Sequence, residues 1–172
     1  ALPLLLPNAW DVSSAIAFFE AGFPAVGTTS FGVAAASGVP DARGNTRDAT
    51  RALAHALTPL PVFISVDVED GYSDDPEEVA EYVASLGVAG VNIEDSTAGR
   101  LVEPAALAAK VAAVKARNPD VYVNARADTS DTEGTNHPRP HTSSLFAAAT
   151  RVRATSPTYV QLCAASRFAG YA

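Results

Sequence analysis

The sequence predicts an α/β fold, a (β/α)8 TIM-type barrel incomplete over these residues, on three observations. Short apolar runs rich in β-branched residues alternate with helical patterns. The alternation repeats five to six times. Polar residues follow directly after one strand after another.

The elements come in order. Leu4-Leu5-Leu6 reads as the first strand; Asp11 precedes a helix with Ile16, Phe19 and Phe23 at helical spacing, which Gly22 ends. Ala25-Val26-Gly27-Thr28 is a second strand. Val62-Phe63-Ile64-Ser65-Val66 is a third, its continuous β-branched run suggesting burial on both faces. Asp75-Pro76-Glu77-Glu78 starts a helix: the Asp accepts from orphan amides, Pro sits where no donor is needed, and the Glu residues face the positive end of the dipole. Val79, Tyr82, Val83 and Leu86 form its apolar stripe, and Gly87 closes it. Gly90-Val91-Asn92-Ile93 is strand four, Pro104 to Asn118 an Ala/Lys helix, and Val121-Tyr122-Val123-Asn124 strand five.

This alternation implies a parallel sheet with right-handed crossovers. Asn8 and Asp11, Thr28 to Ser30, Asp67 and Glu69, Glu94 and Asp95, and Arg126 and Asp128 all sit just after strands. A barrel places such positions on one face, where sites form. An open doubly wound sheet also puts them at strand ends, but it calls for a glycine-rich phosphate turn after strand one, and Pro7-Asn8-Ala9-Trp10-Asp11 is none. Residues 1–128 form these core units. Residues 129–172 differ: Thr129 to Ser144 reads as a long loop, Leu145 to Ala154 as a helix, and Tyr159 to Cys163 as a sixth strand. A whole barrel takes roughly 250 residues, so two staves are missing and strand edges would be left open.

The 172 residues carry a net charge of −7, which disfavours nucleic acid or an anionic membrane as partner. No apolar run is long enough to span a bilayer. The apolar start lacks the basic residues of a signal peptide, and the single Cys163 suits a reducing compartment, so the cytoplasm is expected.

Asp67 and Glu69 lie two apart at the end of strand three, which in an extended chain puts both side chains on one face. Glu94 ends the adjoining strand. Carboxylates converging there repel one another unless a cation or protons compensate. All-oxygen ligation suits Mg²⁺, with Mn²⁺ the alternative. The plainer reading is solvated strand-end acids. Arg126 faces the same end with a fork suited to a carboxylate or phosphonate, or it pairs with Glu94 or Asp128. Thr29-Ser30-Phe31-Gly32 offers amides at a helix start, a carboxylate cradle.

With these residues the chain resembles the phosphoenolpyruvate mutase/isocitrate lyase superfamily, carboxyphosphonoenolpyruvate mutase-like, from about Leu6 to Thr129. The resemblance rests on Leu6-Pro7-Asn8-Ala9-Trp10-Asp11, Gly27 to Ala34, Asp67-Val68-Glu69-Asp70-Gly71-Tyr72, Gly90 to Asp95 and Asn124-Ala125-Arg126-Ala127-Asp128-Thr129, in order and at strand ends. It implies that Asp67, Glu69 and Glu94 hold Mg²⁺, some through water, and that a 2-oxo acid chelates the ion with its carboxylate on the Ser30-Phe31-Gly32 amides. It implies too that Arg126 binds the other anionic end and that Asp41 lies near the reacting bond. The chemistry implied makes or traps a pyruvate enolate by breaking a C–C or P–C bond. The expected partner is thus a small 2-oxo acid or phosphonate, and the expected assembly a homo-oligomer, dimer or tetramer.

There are departures. The segment after Glu94-Asp95, Ser96 to Glu103, has neither the Lys/Cys/Gly/His sequence of the isocitrate lyase branch nor the Lys and Asn of the phosphonate branch. Cys163 is misplaced to substitute, and residues after Thr129 do not match. A truncated remnant that binds anions or partners is therefore the competing reading. Arg100 is a gate cation or a solvated arginine. Trp10 and Phe31 read as core or cavity wall, with substrate stacking the alternative; Tyr72 either hydrogen-bonds substrate or packs. His55 reads as a surface residue of a helix, and His137 and His141 as loop residues.

Overall fold

The structure, a computed structural model, describes residues 5–41, 45–97, 100–127 and 160–164. In order the elements are β1 (Asn8–Ala9), α1 (Val12–Glu20), β2 (Ala25–Thr28), α2 (Ser30–Ser37), α3 (Arg47–Leu57), β3 (Phe63–Asp67), α4 (Pro76–Leu86), β4 (Gly90–Glu94), β5 (Ser96–Thr97), β6 (Arg100–Leu101), α5 (Pro104–Arg117), β7 (Tyr122–Ala127) and β8 (Val160–Ala164).

One six-stranded sheet runs β1-β2-β3-β4-β7-β8, every neighbouring pair parallel. The order never doubles back, so the sheet has no reversal point of the doubly wound kind. Successive crossovers of one hand then place the helices on one side, and they pack in turn: α3 on α4, α4 on α5. This is the arrangement of an incomplete (β/α) barrel.

Alternation divides the two faces of the sheet. Ile64, Val66, Val91, Ile93, Val123 and Ala125 join the buried cluster that holds Val79, Val83 and Leu86 of α4 and Leu107, Val111 and Val114 of α5. The positions between them are Ser65 and Asp67, Asn92 and Glu94, Asn124 and Arg126. The hydrophobic layer under the helices thus leaves the opposite, barrel-interior face polar at its C-terminal end.

The caps of α4 are as the sequence predicts: Asp75 Oδ1 accepts from the Glu77 amide at 2.9 Å, Pro76 is the first helical residue, and Gly87 closes in the left-handed region at φ 65°. Asp11 and Ser14 form a reciprocal capping box on α1. Hydrogen bonds from Ser14 hold the Asp11 carboxyl below its ordinary 3.8. A lowered folded value means this contribution is present above that ordinary value and lost as pH falls through the folded one.

Three expectations need correction. The first strand does not run through Leu5 and Leu6: among the described residues pairing begins where the Gly27 amide donates to the Pro7 carbonyl at 2.8 Å, and Leu5 and Leu6 are exposed. An apolar run marks a strand nearby, but the ladder hydrogen bonds decide its register. On α1, Ile16 and Phe19 stay at the surface, while Ala15 is buried and Phe18 packs on the core, edge-on to Phe23 at 6.0 Å. Apolar residues surround this helix, so periodicity alone leaves its phase open. In the segment after Glu94-Asp95, expected as loop, β5 and β6 pair antiparallel, with Ser96 opposite Leu101 and Thr97 opposite Arg100. The sixth strand is β8. The loop from Thr129, the helix from Leu145, and Asp128, His137 and His141 lie outside the described residues. No helix among those described is long and apolar enough to cross a membrane.

Candidate active site

β3 and β4 end side by side, and Asp67, Glu69, Glu94 and Asp95 are all buried there. The backbone that gathers them is not extended throughout. β3 stops at Asp67; Glu69 turns left-handed at φ 51°, Gly71 at 94° and Tyr72 at 63°. The same-face argument for Asp67 and Glu69 therefore fails in its premise, because alternation holds only in extended chain. The pair meets by another route. The Glu69 amide donates to Asp67 Oδ1 at 3.3 Å, and the Glu69 carbonyl accepts from the Glu94 amide at 2.8 Å. Left-handed backbone at non-glycine residues costs on the order of 1–3 kcal/mol each and concentrates at functional sites.

Gly71 makes that loop possible. Besides its positive φ, an added Cβ would lie 2.7 Å from Val79 Cγ1 and 2.9 Å from Cγ2. Gly71→Ala is expected to destabilise by roughly 2–3 kcal/mol. Urea denaturation checks this, and a stability equal to that of the parent protein would contradict it.

Each acid has a defined surrounding. Asp67 Oδ2 accepts from the Ser30 amide at 3.0 Å and Oδ1 from Asn92 Nδ2 at 3.3 Å, while the Asp67 amide donates to Thr28 Oγ1 at 3.0 Å. Glu94 is ion-paired with Arg126 and accepts from Ser96 Oγ at 3.2 Å. The salt-bridge alternative for Arg126 is thus present. Thr46, from the turn before α3, donates its hydroxyl to Glu69 Oε1 and is fully buried. Sequence reading missed Thr46, since 23 residues separate it from its partner. Thr46→Val strips Glu69 of that donor and is expected to cost about 1–3 kcal/mol, with Thr46→Ser restoring most of it in the same denaturation measurement.

Tyr72 places its hydroxyl 3.1 Å from Thr46 Oγ1 and 3.2 Å from Thr50 Oγ1, and its ring edge-on to Tyr82 at 5.2 Å. Burial pushes its phenol well above the ordinary value of 10.0, so it stays neutral at physiological pH. These are contacts of a packing residue that also braces Thr46. Thr29 is the N-cap of α2 without a side-chain bond, and Ser30 joins the cradle to the acids through Asp67. Gly32 lets α2 come close to β1, for a Cβ there would meet Trp10 Cβ at 2.7 Å. Trp10 and Phe31, however, are not core: they are 48% and 69% exposed. Large size argued for burial, but α2 starts at the sheet's rim. Asp41 has a buried Oδ1 that has no hydrogen-bond partner among the described residues. Arg100 is exposed on β6, and His55, also exposed, has Nε2 2.8 Å from the Ser85 carbonyl. Cys163 lies on β8 opposite Arg126 in register.

Hard oxygen donors in excess over the one guanidinium paired among them fit a divalent cation in chemistry and charge. Among the described residues, no three acidic, His or Cys side chains stand as a ready direct-ligand group.

The profile of the phosphoenolpyruvate phosphomutase family matches residues 1–155, and the chain belongs to that family. The match runs past Thr129 to residue 155, which corrects the expectation that the residues after Thr129 do not match the family. An uncharacterized protein of Mycobacterium tuberculosis is 59% identical over 128 residues, covering 74% of this chain and 50% of the relative. The chain thus spans about half the length of the curated relatives it matches. Among solved structures, an assigned phosphonomutase of Burkholderia cenocepacia is similar at 29% identity and TM-score 0.76, over 93% of this chain and 78% of that one. A 2,3-dimethylmalate lyase, a member of the PEP mutase/isocitrate lyase superfamily, is similar at 27% identity and TM-score 0.72, over 86% and 54%.

Proposed function

We propose that this chain carries the Mg²⁺ site of an enzyme that breaks or rearranges a C–C or P–C bond of a small 2-oxo acid through a pyruvate enolate. The observation that carries the reading is the burial of Asp67, Glu69, Glu94 and Asp95 at the adjoining ends of two parallel strands. Like charges so placed are costly unless a cation joins them. Asp67 would hold the ion, with Glu69 and Glu94 orienting its water. When bound, Mg²⁺ supplies charge stabilisation at an oxygen that becomes negative during reaction. This chain's own groups would do the rest: the α2 amides orient the carboxylate, Arg126 takes the far anionic end, and Asp41 lies by the reacting bond. A 2,3-dimethylmalate lyase and a neighbour assigned as a phosphonomutase support this class of chemistry.

The test is thermal stability with Mg²⁺ and oxalate, a planar enolate mimic. The expected result is a rise with both together, larger than with either alone, consistent with mass action on the folded state. A second reading, a non-catalytic anion-binding module, is favoured by the engagement of Asp67 with Ser30, of Glu69 with Thr46 and of Glu94 with Arg126. It requires no Mg²⁺ dependence, and no pyruvate released from oxaloacetate or phosphonopyruvate.

A further inference from the structure

Register aligns one row of side chains across the polar face. Asp67 of β3 stands opposite Asn92 of β4, and Asn92 opposite Asn124 of β7. The three are hydrogen-bonded in series: Asn124 Nδ2 donates to Asn92 Oδ1 at 2.7 Å, and Asn92 Nδ2 donates to Asp67 Oδ1 at 3.3 Å.

The direction of this row follows from its anchor. A carboxylate only accepts, so Asn92 must turn its NH₂ toward Asp67 and its carbonyl toward β7. That carbonyl demands a donor, so Asn124 must present NH₂ in turn. The far end is then an acceptor, and among the described residues Asn124 Oδ1 is buried without a partner. A buried orphan acceptor costs about 1–3 kcal/mol, and fixing the amides the other way would leave Asp67 facing an oxygen.

Resting on the Mg²⁺ reading above, we propose that Asn92 and Asn124 are positioning residues for the metal. The row fixes Asp67 Oδ1 through Asn92 Nδ2 and so would set which of the carboxylate's remaining lone pairs are offered to the ion. Asn124 acts only through Asn92. Groups that orient a ligand in this way change metal affinity by about 10–100-fold when removed.

The experiment is calorimetric titration of Mg²⁺ into the full chain and its variants, with circular dichroism to confirm folding. Asn92→Leu is expected to weaken Mg²⁺ binding by about tenfold or more, the range such partners span, and Asn124→Leu by less, because it acts on Asp67 only through Asn92. In the double variant the loss equals that of Asn92→Leu alone, because the relay is already cut. Asn92→Thr, which keeps a short donor and is gentler on packing, retains more affinity than Asn92→Leu and serves if the latter does not fold. Parent-like affinity in both Asn92 variants, or losses that multiply in the double variant, would overturn the proposal. An absence of Mg²⁺ binding by the parent chain would sink the metal reading itself, and this proposal with it.

Discussion

Asp67→Asn is expected to abolish the joint Mg²⁺ and oxalate stabilisation and to weaken Mg²⁺ by roughly a hundredfold, the upper end for site substitutions. The change is nearly isosteric, so packing is not the cause. Asp67 accepts at both oxygens, from the Ser30 and Glu69 amides and from Asn92 Nδ2. An amide in its place turns an NH₂ against at least one of these donors and leaves it unpaired. Without metal the variant should thus be less stable by about 1–3 kcal/mol, visible in urea denaturation. Titration calorimetry reads the metal effect separately. If the Asp67→Asn variant still answers to Mg²⁺ with oxalate as the parent does, the ion is held elsewhere and the assignment of the site is wrong.

The second large effect is on folding. Arg126→Leu removes the guanidinium from Glu94, whose side chain is 7% exposed. A buried carboxylate left unpaired costs about 3–5 kcal/mol; the partial exposure of Arg126 places this case near the lower end. For a chain of this size that is a fall of roughly 6–10 °C in melting temperature. Neutralising the partner as well, in Glu94→Gln/Arg126→Leu, is expected to recover most of the loss, since no charge is then stranded. Thermal melts of the two single variants and the double variant decide this. Additive losses would mean that the pair is not a coupled unit.

The prediction about Arg126 draws on a contact that sequence reading foresaw as one of two alternatives, whereas Thr46 and the Asn92–Asn124 row were not foreseen. The difference is physical. Strand-end acids announce themselves by type and place: a carboxylate directly after a β-branched run is conspicuous within a few residues. The cap at Asp75 is equally local, its acceptor two residues from its donor. The bond from Thr46 to Glu69 instead joins a helix entry to a strand exit, and no local period marks it. Likewise an asparagine in mid-strand, as in Gly90-Val91-Asn92-Ile93, reads only as a break in an apolar run until a neighbouring strand supplies Asp67 on one side and Asn124 on the other.

Trp10 and Phe31 teach the same point in reverse. They were expected as core or cavity wall, but Trp10 just after β1 and Phe31 in the first turn of α2 are exposed, a placement that hydrophobicity does not encode. Glu69 shows a further limit. Spacing placed it beside Asp67, and it is beside Asp67, yet through a left-handed turn that the glycine at 71 permits and that no alternation rule contains.

By itself the sequence determined most of the succession of strands and helices, the caps of α1 and α4, and the inventory of acids and amides at the strand ends, because propensity, periodicity and capping act over a few bonds. Only the tertiary structure decided which of those groups meet. Parallel pairing is set by the hydrogen-bond ladder between distant segments, and a slip of one residue would exchange the faces of a whole strand. That register puts Asp67, Asn92 and Asn124 in one row and Glu94 against Arg126.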